Sequence, residues 1–390
     1  MLALVLRAWR PVVAVTVALL WIPGCGLDSV DPNLSYRLPA SQADLARLLQ
    51  EFGLAGGDWP KITEDEINDL FDTATPADLS QGEAAVAGEI TYRDDIDVYD
   101  IGPVFRGDRI IVTAMVNGSL DATAAVFDLG GCLLYANDDR IWNIDTKPYV
   151  NMVVWEESAS CYVAIAASDG TSGTGGYGLW IEVESGNYVP SARKQVVVLD
   201  FDGGEDISIG GTTPISFGAF DAGDIHSSLA DDTAEIIDRV EAEVRADFAD
   251  YEVDIYNTAE SGLPDEPYTS IYFGGQSAYY LGLADYVDYH NLNRRQEAMV
   301  YVETFSLFMP YNPGASGMAE VLANVASHEL GHLLGLNHTD DPTELMDTGS
   351  TAGQMLGEQD FHRAQLHDSI FPIGSQDSDR LLAQAVGRRD

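Results

Sequence analysis

The chain has 390 residues, with 63 Asp and Glu against 20 Lys and Arg and a formal net charge of −43. Hydrophobic residues make up 46%, which is enough for packed cores, and the length suggests two domains. Such an acidic chain, with Lys61, Lys147 and Lys194 as its only lysines, has no basic stripe to neutralise phosphates or dock on anionic lipid. This excludes a nucleic-acid partner and a polybasic membrane surface. The acid excess itself has two readings: tolerance of a salty medium, or oxygen ligands for calcium.

In chain order, Arg7 and Arg10 precede an uncharged, mostly apolar run over residues 12–22, too short to span a bilayer comfortably. Residues 1–25 are therefore expected to be an export signal. The run Ile22-Pro23-Gly24-Cys25-Gly26 resembles a bacterial lipobox, which implies a lipid on Cys25. Pro23 departs from that pattern, and Gly24 and Gly26 also suit ordinary signal peptidase. Export would place the protein outside the cell or, through that lipid alone, at the bacterial envelope. The remaining Cys132 and Cys161 are expected to form a disulfide in an oxidising compartment, the alternative being two thiols in a core.

Residues 26–82 read as a linker or small pro-segment with two helical patterns, which pack either on a later domain or only on each other. Residues 43–52 set Leu45, Leu48, Leu49 and Phe52 on one face, and residues 64–71 gather Ile67, Leu70 and Phe71. Residues 83–186 change period. Runs at 109–116, 124–128, 132–135, 161–167 and 177–183, separated by glycine turns, predict an all-β sandwich. Residues 193–372 alternate strands (195–201, 251–256, 269–273, 298–302) with helices (232–248, 318–335), predicting an α+β domain with a mixed sheet. Residues 373–390 read as a polar tail.

The second of those helices carries His328-Glu329-Leu330-Gly331-His332. A spacing of four puts both imidazoles on one helix face, able to share a metal. Gly335 can end the helix in a left-handed turn, and the reversed chain then brings back His338. Three neutral imidazoles suit zinc and leave a position for water, with Glu329 beside them as a proton acceptor. Other oxygen-rich sets are candidate calcium ligands without EF-hand spacing: Asp285, Asp288, Asn291 and Asn293; Asp200, Asp202, Glu205 and Asp206; Asp94, Asp95 and Asp97 with Asp138 and Asp139. His226, His290, His362 and His367 are expected at the surface or as caps. No G-x-S-x-G elbow supports serine catalysis.

Two resemblances follow. The run His328-Glu329-Leu330-Gly331-His332-Leu333-Leu334-Gly335-Leu336-Asn337-His338 resembles the extended motif of the metzincin metalloendopeptidases, and Glu344-Leu345-Met346-Asp347 resembles their Met-turn, with matrixin-like spacing. The resemblance implies zinc held by His328, His332 and His338, Glu329 as general base, and Met346 as an apolar floor. It also implies protein or peptide substrates, held by a strand edge near residues 298–304, and a closing helix over residues 356–366. Thr348 stands where matrixins have proline and where astacins and serralysins have a tyrosine ligand, so neither feature transfers. No cysteine-switch surroundings occur around Cys25, Cys132 or Cys161. Within residues 83–186, Asp95-Ile96-Asp97-Val98-Tyr99, Gly107-Asp108-Arg109 and Leu129-Gly130-Gly131 resemble the bacterial pre-peptidase C-terminal domain, a non-catalytic accessory of secreted peptidases. The expectation is an exported zinc endopeptidase, the alternative a silent surface binding protein that keeps the fold.

Overall fold

A computed structural model describes residues 42–389, apart from 66, 142–143, 172 and 260–261, with backbone alone for 42–45. The export signal and Cys25 lie outside the described residues. Among the described residues the chain divides into two compact units, one of residues 42–190 with Leu366–Gln376, the other of Ser191–Gln365 with residues 377–389. No helix among the described residues is long and apolar enough to cross a membrane.

The first unit carries α1 (Gln42–Glu51) and strands β1 (Lys61–Thr63), β2 (Thr75–Pro76), β3 (Glu83–Ile90), β4 (Ile96–Asp100) and β5 (Arg109–Val116). It continues with β6 (Ala122–Asp128), β7 (Leu133–Asn137), β8 (Tyr149–Val153), β9 (Cys161–Ala167) and β10 (Gly175–Glu184). They form two five-stranded sheets, ordered β1-β3-β10-β5-β8 and β2-β4-β9-β6-β7. Inward residues of both sheets, among them Val86, Ile110, Val112, Val126, Val163, Leu179 and Ile181, make one apolar core. β9 shows why its sequence is an unbroken apolar run. Cys161, Val163 and Ile165 face that core, while Tyr162, Ala164 and Ala166 turn outward onto Leu366, Ile370 and Phe371. Residues 366–372 thus belong to this unit, not to the α+β domain.

Residues 42–82 are built into the same unit. Leu48 and Leu49 of α1 pack with Phe52 and Leu54 on Ala85, Ala87, Met115 and Trp180. Small residues on the outer sheet face make the seat: a β-carbon on Gly176 would lie 2.6 Å from Leu48 Cδ2, and one on Gly178 would lie 2.9 Å from Phe52 Cδ2. Each buried leucine is worth about 1.5–3 kcal/mol here. The helix expected over residues 64–71 does not form, apart from a 3-10 turn at Phe71–Thr73. Its backbone groups bond outward to strands instead, Glu64 N to Ala87 O at 3.1 Å and Val98 N to Asn68 O at 3.1 Å, leaving Ile67 and Leu70 exposed.

The expected disulfide is also corrected, since Cys132 and Cys161 are both buried and are not joined to each other. Cys161 points into the two-sheet core, where burial raises its thiol pKa. Cys132 closes the turn after β6, donating its N–H to Asp128 Oδ1 at 2.9 Å, and its Sγ lies 3.6 Å from Ser375 Oγ. The two side chains serve different surroundings.

The second unit contains β11 (Gln195–Asp200), β12 (Gly204–Ile207), β13 (Ile215–Phe217), α2 (Ala222–Ile225), α3 (Thr233–Asp247), β14 (Val253–Asn257) and β15 (Thr269–Phe273). Then come β16 (Gly282–Ala284), β17 (Glu297–Val300), α4 (Gly314–Leu333) and α5 (Ser378–Ala385). Its main sheet runs β14-β11-β15-β17-β16, parallel except for β16, which is antiparallel to β17. α3 buries Ile236, Val240 and Val244, one turn apart, in the same core as α4. From Met318 onward α4 is buried on nearly every side, which is why its sequence is apolar almost throughout.

Three expectations fail here. No helix closes the unit over residues 356–366; that stretch is turns, with a short strand at Arg363–Gln365. Residues 377–389 are not a polar tail. α5, capped by Asp377, sends Leu382, Ala385 and Val386 into the main core. Residues 297–300 are not an edge, because β17 lies between β15 and β16; the edge strands are β14 and β16, and residues 302–311 form a 3-10 helix.

Candidate metal centre

α4 ends where its sequence demands. Gly335 takes φ +99°, its N–H bonds to His332 O at 2.9 Å, and Leu336 N bonds to Gly331 O at 2.9 Å, the paired hydrogen bonds of a Schellman turn. An L-side chain at Gly335 would be strained and would also put its β-carbon 3.0 Å from Asp288 O. The turn redirects the chain so that His338 comes back over the helix face bearing His328 and His332.

The three imidazoles are buried, and their ligating atoms lie within 4.8 Å of one another. His328 Nδ1 is 2.7 Å from Leu345 O, and His332 Nδ1 is 2.8 Å from Leu336 O. A carbonyl oxygen only accepts, so both Nδ1 atoms carry the proton and both Nε2 atoms present lone pairs. Those Nε2 atoms stand 3.0 Å apart. With two neutral rings this is lone pair against lone pair, an arrangement that calls for a cation between them. Burial keeps the rings neutral: it pushes His328 down to about 4 and His332 well below the usual histidine range.

Glu329 is fully buried, and neither carboxylate oxygen has a hydrogen-bond partner. Burial with no compensating charge pushes its pKa well up. Gly282 of β16 lies against it, with no side chain between them. Beneath the centre, Met346 is wholly buried, and a β-carbon on Gly331 would fall 2.4 Å from its sulfur. Glu344 holds the turn carrying Met346, accepting from Met346 N at 2.6 Å and Thr339 Oγ1 at 2.7 Å. Glu344 appeared in the sequence reading only as part of the Met-turn run, and among the nearby acids Asp340, Asp341 and Asp347 nothing local sets it apart. A neutral, all-nitrogen donor set anchored at Nδ1 fits zinc, and a dication there supplies the charge that Glu329 lacks.

The other candidates are not drawn together. Among the described residues, the histidine trio is the group of three or more His, Cys, Asp or Glu placed at metal-ligating distance. Asp285 accepts from Gly210 N and Glu297 N at 3.0 and 2.9 Å, Asp288 from Asn293 N at 2.7 Å, and Asp200 from Asp202 N at 3.0 Å. Asp95 binds Thr91, and Asp97 accepts from Tyr177 Oη at 2.7 Å. His226 and His367 accept from the backbone N–H two residues on, as caps do, and His362 lies beside Asp341. His290 departs from the expected surface position. It sits at φ +75° in the loop packed on Gly335, and burial pushes it down to about 4.

Residues 220–365 match the family model described as Peptidase_M10, matrixin. That match and the histidine trio together support a zinc metallopeptidase. No curated protein matches the sequence. Among solved structures, the chain is similar to archaemetzincin from Methanopyrus kandleri at 18% identity and TM-score 0.25, covering 44% of this chain and 91% of that one. It is also similar to the pre-peptidase C-terminal domain of a collagenase from Bacillus anthracis at 14% identity and TM-score 0.22, covering 31% of this chain and 100% of that one. A third likeness is to PliG, a periplasmic inhibitor of g-type lysozyme from Aeromonas hydrophila, at 14% identity and TM-score 0.23, covering 33% of this chain and 100% of that one.

Proposed function

We propose that the chain is an exported zinc endopeptidase, with a β-sandwich of the pre-peptidase C-terminal type as its accessory domain. The observation that carries this reading is the buried pair of lone pairs on His328 and His332, 3.0 Å apart, with the unpartnered carboxylate of Glu329 beside them. His328, His332 and His338 would hold the zinc. When bound, the metal would supply Lewis acidity, lowering the pKa of a water toward about 7 and polarising the scissile carbonyl. Glu329 would accept a proton from the attacking water and return it to the leaving amine. Met346 and Glu344 keep the floor rigid and dry.

The substrate would run extended along β16, the edge strand that carries Gly282 beside Glu329, where main-chain hydrogen bonds would add it as a further strand. This replaces the edge expected at residues 298–304. Export rests on Arg7, Arg10 and the apolar run of residues 12–22, with Cys25 as the candidate lipid site. The test is digestion of denatured casein by the purified protein. Digestion should stop with a chelator and return with about one zinc per chain. Zinc-loaded protein that leaves casein and a broad peptide library intact would overturn the proposal in favour of a silent binding protein.

A further inference from the structure

Glu329 is set against a glycine. A β-carbon built on Gly282 would lie 2.4 Å from Glu329 Oε1, 2.7 Å from its Cγ and 2.8 Å from its Cδ. Real β-carbons do not approach other atoms so closely. Backbone geometry does not ask for glycine here, since Gly282 is absent from the residues with positive φ and lies within the β16 ladder, paired with Val300. A glycine inside a strand is otherwise a cost, since it orders more chain entropy than alanine and packs nothing. What requires it is the side chain opposite.

We infer that Gly282 is a positioning residue for Glu329: the missing side chain leaves the space that the carboxylate fills beside the histidine trio. The inference rests on the proposed role of Glu329 as base. Glu329 is wholly buried on α4, and Val325, Ala326, Leu330 and Leu333 of the same helix are buried as well. Even one methyl group at residue 282 must therefore push the carboxylate along the helix face or lift the edge strand off it. Either response moves the base relative to the metal ligands and to a peptide lying on β16. The three atoms nearest that β-carbon all belong to Glu329.

The experiment is a double-mutant cycle on the full chain, with Gly282→Ala, Glu329→Ala and both together, read by melting temperature, zinc content and cleavage of a fluorogenic peptide. In the Glu329 background, Gly282→Ala should lower the melting temperature clearly. In the Glu329→Ala background, where the colliding atoms are gone, the same substitution should cost little. That coupling is what a mere strand defect would lack. If Gly282→Ala does not fold while the double variant does, the coupling is shown in its extreme form. In activity, Gly282→Ala should keep its zinc and lose kcat by on the order of 100-fold, as about 1 Å of misplacement implies, with KM little changed. Equal melting losses in both backgrounds would overturn the inference, as would wild-type kcat in Gly282→Ala. Failure of the peptidase reading shows separately, as a wild type that cleaves nothing, and the stability cycle then still decides whether Gly282 makes room for Glu329.

Discussion

The two units both bury polar side chains, and they treat them differently. In the two-sheet unit, Tyr177 donates to Asp97, Tyr99 bonds to Tyr177, and Glu64 accepts from Glu89 N, so the buried groups close upon one another. In the α+β unit, His328 and His332 are tied down at Nδ1, the ligating atoms of the three histidines lie together with no counter-charge among them, and both oxygens of Glu329 are left without a hydrogen-bond partner. Buried polar groups that satisfy each other specify a fold, whereas a convergent set left without a counter-charge is a site awaiting something from outside. The comparison separates stability from chemistry within one chain.

The largest expected effect breaks the open set. His332→Ala should abolish metal binding and lower cleavage by more than the roughly 10–100-fold that loss of an outer partner costs, as read by zinc content and rate together. An intermediate case is Asp247, which accepts from Ser327 on α4 and is pushed up to about 7 by burial. Its folded pKa lies above its unfolded value of 3.8, so the stability it contributes is full below pH about 4 and is lost as pH rises through about 7. Asp247→Asn should flatten that slope, worth a few kcal/mol at most, in melting scans across pH. An unchanged slope would remove Asp247 as its source.

In the closed network, Tyr177→Phe takes the hydroxyl from buried Asp97 and should cost about 1–3 kcal/mol in denaturant unfolding. Zinc content and kcat should stay at wild-type values, and a fall in either would blur the distinction between the units. The smallest expected effect concerns the thiols. Cys132 and Cys161 should both label with an alkylating agent after denaturation without reductant, and reductant should leave the melting temperature unchanged.

Legibility in the sequence followed the range of the interaction. His328, His332, Gly335 and His338 were readable because helix periodicity and a C-terminal glycine turn are local rules. The strands at 109–116, 161–167 and 269–273 were readable for the same reason. The failures are non-local. Ile67, Leu70 and Phe71 have helical spacing, but β3 and β4 compete for that backbone and win. α5 repeats Leu382, Ala385 and Val386 at helical spacing, a signal hidden by its polar neighbours. Which strand is the edge depends on sheet order, so β16 was missed. Nothing in the sequence says that Gly282 faces Glu329, because the two meet only across the fold.

The most direct test measures zinc and hydrolysis on the same sample of Glu329→Ala. The account predicts about one zinc per chain, as in the wild type, with cleavage of denatured casein reduced by on the order of 100–10,000-fold. Undiminished cleavage by that zinc-loaded variant would contradict the assignment of Glu329 as the base, and loss of zinc together with activity would make it part of the metal's support instead.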